Sequence, residues 1–170
     1  MTRKTFFSFH FKPDSWRAGT VRSIGALDGN EPVSDNTWEQ VKRAGDGSIR
    51  AWIAKEMSGK TCTVVLIGSE TSTRKWVLYE LSKAWNDGLG VFGVYIHNLK
   101  DSNGFQSWQG ASPLDKVTFN KDSQYSGKPL STVAKVYKPP FTNSQQTYGY
   151  IAQNIANWAE EAIAIRKSTR

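Results

Sequence analysis

The chain has 170 residues, 38% of them hydrophobic and 22% charged, which excludes a wholly disordered protein and predicts one domain over residues 1–170. Its net charge of +7 comes from dispersed lysine and arginine residues, so nucleic-acid binding is a minor alternative. No apolar run approaches the roughly 18–20 residues that span a bilayer, and no signal-peptide core follows the basic N-terminus. The single cysteine, Cys62, cannot form an internal disulfide. These three observations together predict a cytoplasmic protein without a membrane partner.

The first part of the chain begins with an aromatic strand. Residues 5–11 are mostly apolar and predict a buried first strand, and the residues 12–14 that follow predict a loop. A short helix is expected within residues 18–27. Residues 34–36 and Asp46 offer side chains that cap helices, so two further helices are predicted after them.

The middle of the chain carries the clearest strands. Residues 61–68 are rich in β-branched side chains, as a central parallel strand requires. An amphipathic helix is predicted from about residue 74 to residue 86, followed by a second buried strand over residues 90–97. The polar composition of residues 98–113 predicts a long loop.

The last third is less regular. Residues 101–140 contain one predicted strand, at 132–137, and residues 144–166 predict a long amphipathic C-terminal helix. Strands that alternate with helices indicate an α/β protein with a mainly parallel sheet of four or five strands, covered on both faces as in a flavodoxin-like three-layer sandwich. Ligands of such sheets bind beyond the carboxyl ends of the strands.

Several common sites find no support in the sequence. The run Gly59-Lys60-Thr61 lacks the earlier glycine of a phosphate-binding P-loop, and no glycine-rich fingerprint for dinucleotides follows the first strand. The chain has two histidines and one thiol, so no metal site is expected.

Trp76 and Glu80 are the most informative pair. Four residues advance a helix by about 400°, so the two side chains lie on one face about a turn apart. An aromatic plate beside a carboxylate suits a flat base and its ribose, although a core tryptophan beside a solvated glutamate has the same spacing. Most of the seven tryptophans are expected in the core, and one or two are candidates for lining a pocket.

Two stretches of the sequence resemble the TIR domain superfamily. Phe6-Phe7-Ser8-Phe9 is similar to the first TIR box, and residues 72–81 are similar to the segment that carries a tryptophan, three residues and a glutamate. The chain resembles, more specifically, the TIR-like family that includes the Thoeris antiphage defence sensors. Further stretches that carry this resemblance, which spans residues 4 to about 113, are 22–27, 32–38, 63–68 and 95–101.

The resemblance implies a flavodoxin-like TIR fold and an enzyme that consumes NAD. Catalytic members of the superfamily cleave the bond between nicotinamide and ribose, and Thoeris members release a cyclic ADP-ribose-type signal that reaches a downstream effector. Carried onto this chain, the catalytic glutamate is Glu80, and NAD is a substrate, so no cofactor is expected. The substrate-binding residues carried over are Phe6, Ser8, Asp35, Arg74, Trp76, Tyr79 and Asn98. The assignment of Ser8, Asp35 and Asn98 is based on their positions at the ends of predicted elements.

Two questions stay open at this point, namely which product the reaction gives and whether the domain is catalytic. Glu80 is the one well-supported carboxylate, which favours an internal nucleophile over an activated water and hence a cyclic product. Some TIR domains assemble without catalysis, so a non-catalytic binding or scaffold module in signalling is the alternative. The resemblance also implies self-assembly and a phage-derived trigger, for which residues 98–113 or 116–138 are the candidate segments.

Overall fold

A parallel sheet forms the centre of the protein, whose computed structural model describes residues 2–29 and 35–169 but not the side chains of residues 35 and 36. The described strands are β1 (Thr5–Phe9), β2 (Cys62–Ile67), β3 (Gly90–Tyr95) and β4 (Val136–Tyr137). They lie side by side in the order β1-β2-β3-β4, and each neighbouring pair is parallel. The register places Thr5 opposite Cys62 and Cys62 opposite Gly90.

A single parallel bridge completes the strand order at the other edge of β1. Lys4 bridges to Asp28, and the backbone N–H of Thr5 donates to the carbonyl of Asp28 at 2.8 Å. Residue 28 therefore occupies the place of the second strand in the flavodoxin-like order 2-1-3-4-5, and the order reverses between β1 and β2. The predicted α/β sheet of flavodoxin-like type is confirmed.

Helices cover both faces of the sheet. They are α1 (Phe11–Ser23), α2 (Asp35–Arg43), α3 (Asp46–Met57), α4 (Lys75–Asn86) and α5 (Ser144–Ser168). Apolar residues of α1 and α5 pack on one face, whereas α3, α4 and the region 114–134 pack on the other. Because side chains alternate along a strand, Phe7 belongs to the first of these cores and Phe6 to the second. Within the described ranges, no helix is long and apolar enough to cross a membrane.

The start of α1 corrects one prediction. The first strand ends at Phe9 and α1 begins at Phe11, so the loop predicted for residues 12–14 is wrong. Pro13 is compatible with this position because the first N–H groups of a helix have no intrahelical partner. The helix then continues to Ser23 and includes most of the segment expected to hold a short helix.

Two further predictions need adjustment. Asp46 is the first residue of α3 and not its cap, and Gly45 precedes it with a φ of 95°, which glycine adopts without strain. The strand predicted for residues 132–137 is reduced to Val136–Tyr137. The strands β2 and β3, the helix α4 and the helix α5 follow the predictions closely, whereas Ser34, the first of the expected capping residues, lies outside the described residues.

The region 101–140 packs against the second core. Leu114, Val117 and Phe119 are buried there, and the Phe119 ring meets Trp85 of α4 edge-on at 5.4 Å between centroids. The loop at 98–113 instead exposes two large side chains, Phe105 and Trp108, at 67% and 69% of their surface. A role of this loop in assembly stays a prediction.

Candidate active site

A cavity of about 690 Å³ opens at the carboxyl end of β1, beside the point where the strand order reverses. Its size lies within the usual range of ligand sites, about 300–1,000 Å³. The walls come from β1, from α1, α2 and α3, and from the first half of α4. The cavity therefore occupies the position at which open parallel sheets bind ligands.

Glu80 lies on the wall that α4 provides, and it is 8% exposed. The Ser8 hydroxyl donates to Glu80 Oε1 at 2.7 Å. Ser8 faces α4 because it follows Phe6 by two residues along β1, and Phe6 points into the core on that side. Burial raises the pKa of the Glu80 carboxyl group to about 8, and the hydrogen bond from Ser8 opposes part of that rise.

Trp76 precedes Glu80 by about one helical turn and is half-buried beside the cavity. Its ring meets Tyr79 edge-on at 5.4 Å between centroids. The Lys75 ammonium lies 4.9 Å from the centroid of the Trp76 ring, within the range of a cation–π contact. An aromatic plate and a buried carboxyl group thus share one side of the cavity, as the spacing of the two residues predicts.

Four more aromatic rings form a continuous wall. Phe9 stacks on Phe11 at 6.1 Å between centroids, Phe11 meets Trp38 at 5.9 Å, and Trp38 meets Trp52 at 5.5 Å. All four rings line the cavity. Sequence reasoning did not select Trp38 or Trp52 for the site, and the high tryptophan count was the one signal that pointed to them. We call this group of four residues the aromatic wall.

Positive charge surrounds the cavity. Among the described lining residues, Glu80 is the single carboxylic acid, and the basic ones are Lys12, Arg22, Lys42, Arg74 and Lys75. Partial burial and the nearby Arg74 lower the pKa of His10, which keeps its imidazole neutral at pH 7. This arrangement favours a ligand that carries negative charge together with flat, apolar surface.

The predicted site residues fall into four groups. Phe6, Arg74, Trp76 and Glu80 line the cavity. Ser8 and Tyr79 touch it indirectly, through Glu80 and Trp76 respectively. Asn98 does not line the cavity; its side-chain amide donates to the backbone carbonyl of Phe141, and its backbone carbonyl accepts from Gln106. The side chain of Asp35 lies outside the described residues. Within the described ranges, no group of three or more potential metal ligands occurs.

This strand order, with an aromatic residue and a glutamate on the helix that follows a central strand, defines a TIR-like domain. The model of the family described as "Thoeris protein ThsB, TIR-like domain" matches residues 6–101, a range that contains every described residue lining the cavity. A Bacillus cereus (strain MSX-D12) protein named "Putative cyclic ADP-D-ribose synthase ThsB1" is 30% identical over 135 residues, which are 76% of this chain and 69% of that protein. The chain belongs to the Thoeris ThsB family of TIR-like domains.

Proposed function

We propose that the protein is an enzyme that cleaves the bond between nicotinamide and ribose in NAD and forms a cyclic ADP-ribose-type signal in antiphage defence. The observation that carries the proposal is the buried Glu80 carboxyl group in a cavity lined mostly by aromatic and basic side chains. The name of the Bacillus cereus relative supports the same chemistry.

Cleavage needs an anion beside the ribose. The electron pair of the bond between C1′ and the pyridinium nitrogen moves to that nitrogen, so nicotinamide leaves as a neutral molecule and requires no proton. Positive charge then develops on C1′ and the ring oxygen of the ribose. The Glu80 carboxylate stabilises this charge, and because its side chain is buried the interaction is stronger than it would be in water.

Substrate binding itself ionises Glu80. In the empty cavity the pKa of Glu80 is about 8, so the carboxyl group is mostly neutral at pH 7. A pyridinium cation beside it favours the charged form, because an opposite charge within about 4–6 Å lowers the pKa of a carboxyl group. Ser8 holds Oε1, and we propose that Oε2 faces the ribose.

A cyclic product follows from a nucleophile within the substrate. A ring nitrogen of adenine or a ribose hydroxyl of the adenosine half attacks C1′, and the new bond replaces the one to nicotinamide. A hydroxyl that attacks releases one proton to solvent, and the attack of a ring nitrogen moves positive charge onto adenine. Glu80 is the single acid of the described lining, so no second carboxylate is placed there to activate water as in inverting glycosidases.

The signal would then bind a downstream effector. A phage-derived trigger would start synthesis of the signal by causing the enzyme to self-assemble.

The test incubates the purified protein with NAD, with and without lysate from phage-infected cells, and follows nicotinamide and the ADP-ribose product by mass spectrometry. Equimolar nicotinamide and a cyclic product supports the proposal. Intact NAD under both conditions, with a protein that melts cooperatively, contradicts it and favours a binding module.

A further inference from the structure

The aromatic wall belongs to elements other than α4 and is not used by the chemistry at Glu80. Its rings come from β1, α1, α2 and α3, whereas Trp76 and Glu80 come from α4. A cavity of about 690 Å³ is large enough for a ligand with two separate aromatic parts. The two walls therefore suggest two positions for flat groups.

We propose that Trp38, supported by Trp52 and Phe11, binds the adenine ring of the dinucleotide, and that Lys12 and Arg74 bind its pyrophosphate. The inference rests on the proposed function and deepens it, because it assigns the half of the substrate that does not react. The nicotinamide ribose then lies at Glu80 and Trp76. The adenosine half lies along the aromatic wall, in the same cavity as the bond to be broken.

The packing of the rings supports a platform for a base. Trp38 is half-buried and contacts two other rings at tilted angles, with centroid distances of 5.9 Å to Phe11 and 5.5 Å to Trp52. A ring that packs against its neighbours keeps its orientation when a ligand binds, so little side-chain entropy is lost. Every base presents a π-face, and stacking on an aromatic side chain is a common way in which proteins bind adenine-type rings.

The charges around the cavity distinguish two kinds of basic residue. Lys75 pairs with Asp46 at 2.9 Å and Lys42 pairs with Glu39 at 3.2 Å, both on the surface. Among the residues that the structure describes, Lys12 and Arg74 have no carboxylate within ion-pair distance.

Lys12 and Arg74 both line the cavity. Lys12 lies in the first turn of α1, and Arg74 directly precedes α4 and is near enough to His10 to lower the pKa of its imidazole. Two cations without an ion pair among the described residues match the two negative charges of a pyrophosphate. Binding of the anion therefore breaks no ion pair of the described part of the chain.

The experiment measures binding of adenosine and ADP by isothermal titration calorimetry, since neither ligand contains the scissile bond. Trp38→Leu keeps an apolar side chain but removes the π-face, and we expect it to lower the affinity for both ligands about 10- to 100-fold. Arg74→Gln and Lys12→Gln are each expected to lower the affinity for ADP about 10-fold and to leave the affinity for adenosine unchanged. Trp16→Leu is the matched control, because Trp16 is 60% exposed and does not line the cavity.

The outcomes separate this inference from the proposed function. The platform is supported if both ligands bind and the variants change their affinities as expected. If the protein shows this binding but never turns over NAD, only the proposed function fails. If the wild-type protein turns over NAD but Trp38→Leu leaves ADP affinity and the KM for NAD unchanged, the platform is overturned. No binding of ADP to an active wild-type protein overturns it as well. Should Trp38→Leu melt abnormally, Trp38→Phe keeps a ring at the position and is expected to give an intermediate affinity.

Discussion

The Ser8 hydroxyl donates a 2.7 Å hydrogen bond to Glu80 Oε1, and both side chains are buried. This bond connects β1 to α4 on the face of the sheet that α4 covers, although the two residues are 72 positions apart. A hydroxyl donor stabilises a carboxylate more than a carboxylic acid, whereas burial has the opposite effect. The pair therefore sets both the position and the charge of the one acid in the described lining of the cavity.

Glu80→Gln should keep the fold and abolish NAD turnover. The glutamine has almost the same volume and can still accept the hydrogen bond from Ser8, but it has no charge to offer the ribose cation. The loss of one such stabilising interaction costs about 10²–10³ in rate. Product formation is measured by mass spectrometry beside a thermal melt, and wild-type turnover by a normally folded variant would remove Glu80 from catalysis.

The same variant should change how stability depends on pH. The pKa of Glu80 rises from 4.5 to about 8 on folding, so between these values the folded protein holds a proton that the unfolded chain has lost. The stabilisation is complete below about pH 4.5 and is lost as the pH rises through about 8. Relative to wild type, Glu80→Gln should therefore become more stable over that interval, by on the order of a few kcal/mol at its upper end.

Chemical denaturation of both proteins at intervals of about one pH unit between roughly pH 5 and pH 9 tests this dependence. The difference between the two free energies of unfolding is the quantity to follow, because other titrating groups affect both proteins equally. A difference that stays constant across the series would show that Glu80 is ionised throughout.

Ser8→Ala should shift the pH–rate profile of NAD turnover to higher pH. Removal of the donor raises the pKa of Glu80 further, and a hydrogen bond to a charged group is worth about 1.5–3 kcal/mol, or roughly 1–2 pKa units. Thr63→Val on the neighbouring strand is the matched control, because the buried Thr63 hydroxyl has no hydrogen-bond partner in the described part of the chain. Equal profiles for Ser8→Ala and wild type would mean that this bond does not tune Glu80.

The elements that sequence reasoning predicts well are those with a strong local pattern. The strands β2 and β3 are nearly continuous apolar runs, and α4 has an apolar stripe with helical spacing. The start of α1 was missed because Pro13 favours a turn in most contexts and a first helical turn in this one. The two-residue strand β4 is too short for any periodicity and exists because β3 offers it a partner.

The residues of the site likewise divide into those that local spacing predicts and those that tertiary packing brings together. Trp76 and Glu80 are four residues apart on one helix, so their proximity follows from local geometry. Trp38 and Trp52 lie on different helices, and their contact depends on how α2 packs against α3. The partnership of Ser8 with Glu80 depends likewise on the position of α4 over β1. Contacts of this tertiary kind leave no spacing in the sequence from which they could be predicted.

Trp76→Ala should reduce NAD turnover strongly while costing less stability than the removal of a core tryptophan. The side chain is half-buried and faces the cavity, so the loss should be below the roughly 3–5 kcal/mol typical of a fully buried ring. Urea unfolding and steady-state turnover are measured on the same preparation. If activity falls only in proportion to unfolded protein, Trp76 is a core residue and not part of the site.

Gly68→Ala should destabilise the protein at the end of β2. A Cβ at Gly68 would overlap the Asp14 carboxylate, which is buried and receives a 2.8 Å hydrogen bond from Arg17. Arg17 also donates to the carbonyls of Leu99 and Phe105, each at 2.8 Å, so displacement of Asp14 disturbs the contact between α1 and the loop that follows β3.

We expect a cost of about 1–3 kcal/mol, as for other overpacked interior positions, measured as a lower midpoint of urea unfolding. Gly149→Ala in α5 is the control, because a Cβ there meets nothing within 4 Å and alanine favours the helix over glycine by roughly 1 kcal/mol. The two substitutions add the same methyl group, so opposite signs would trace the loss at Gly68 to the buried Asp14–Arg17 pair. Equal stability changes at the two positions would contradict this explanation.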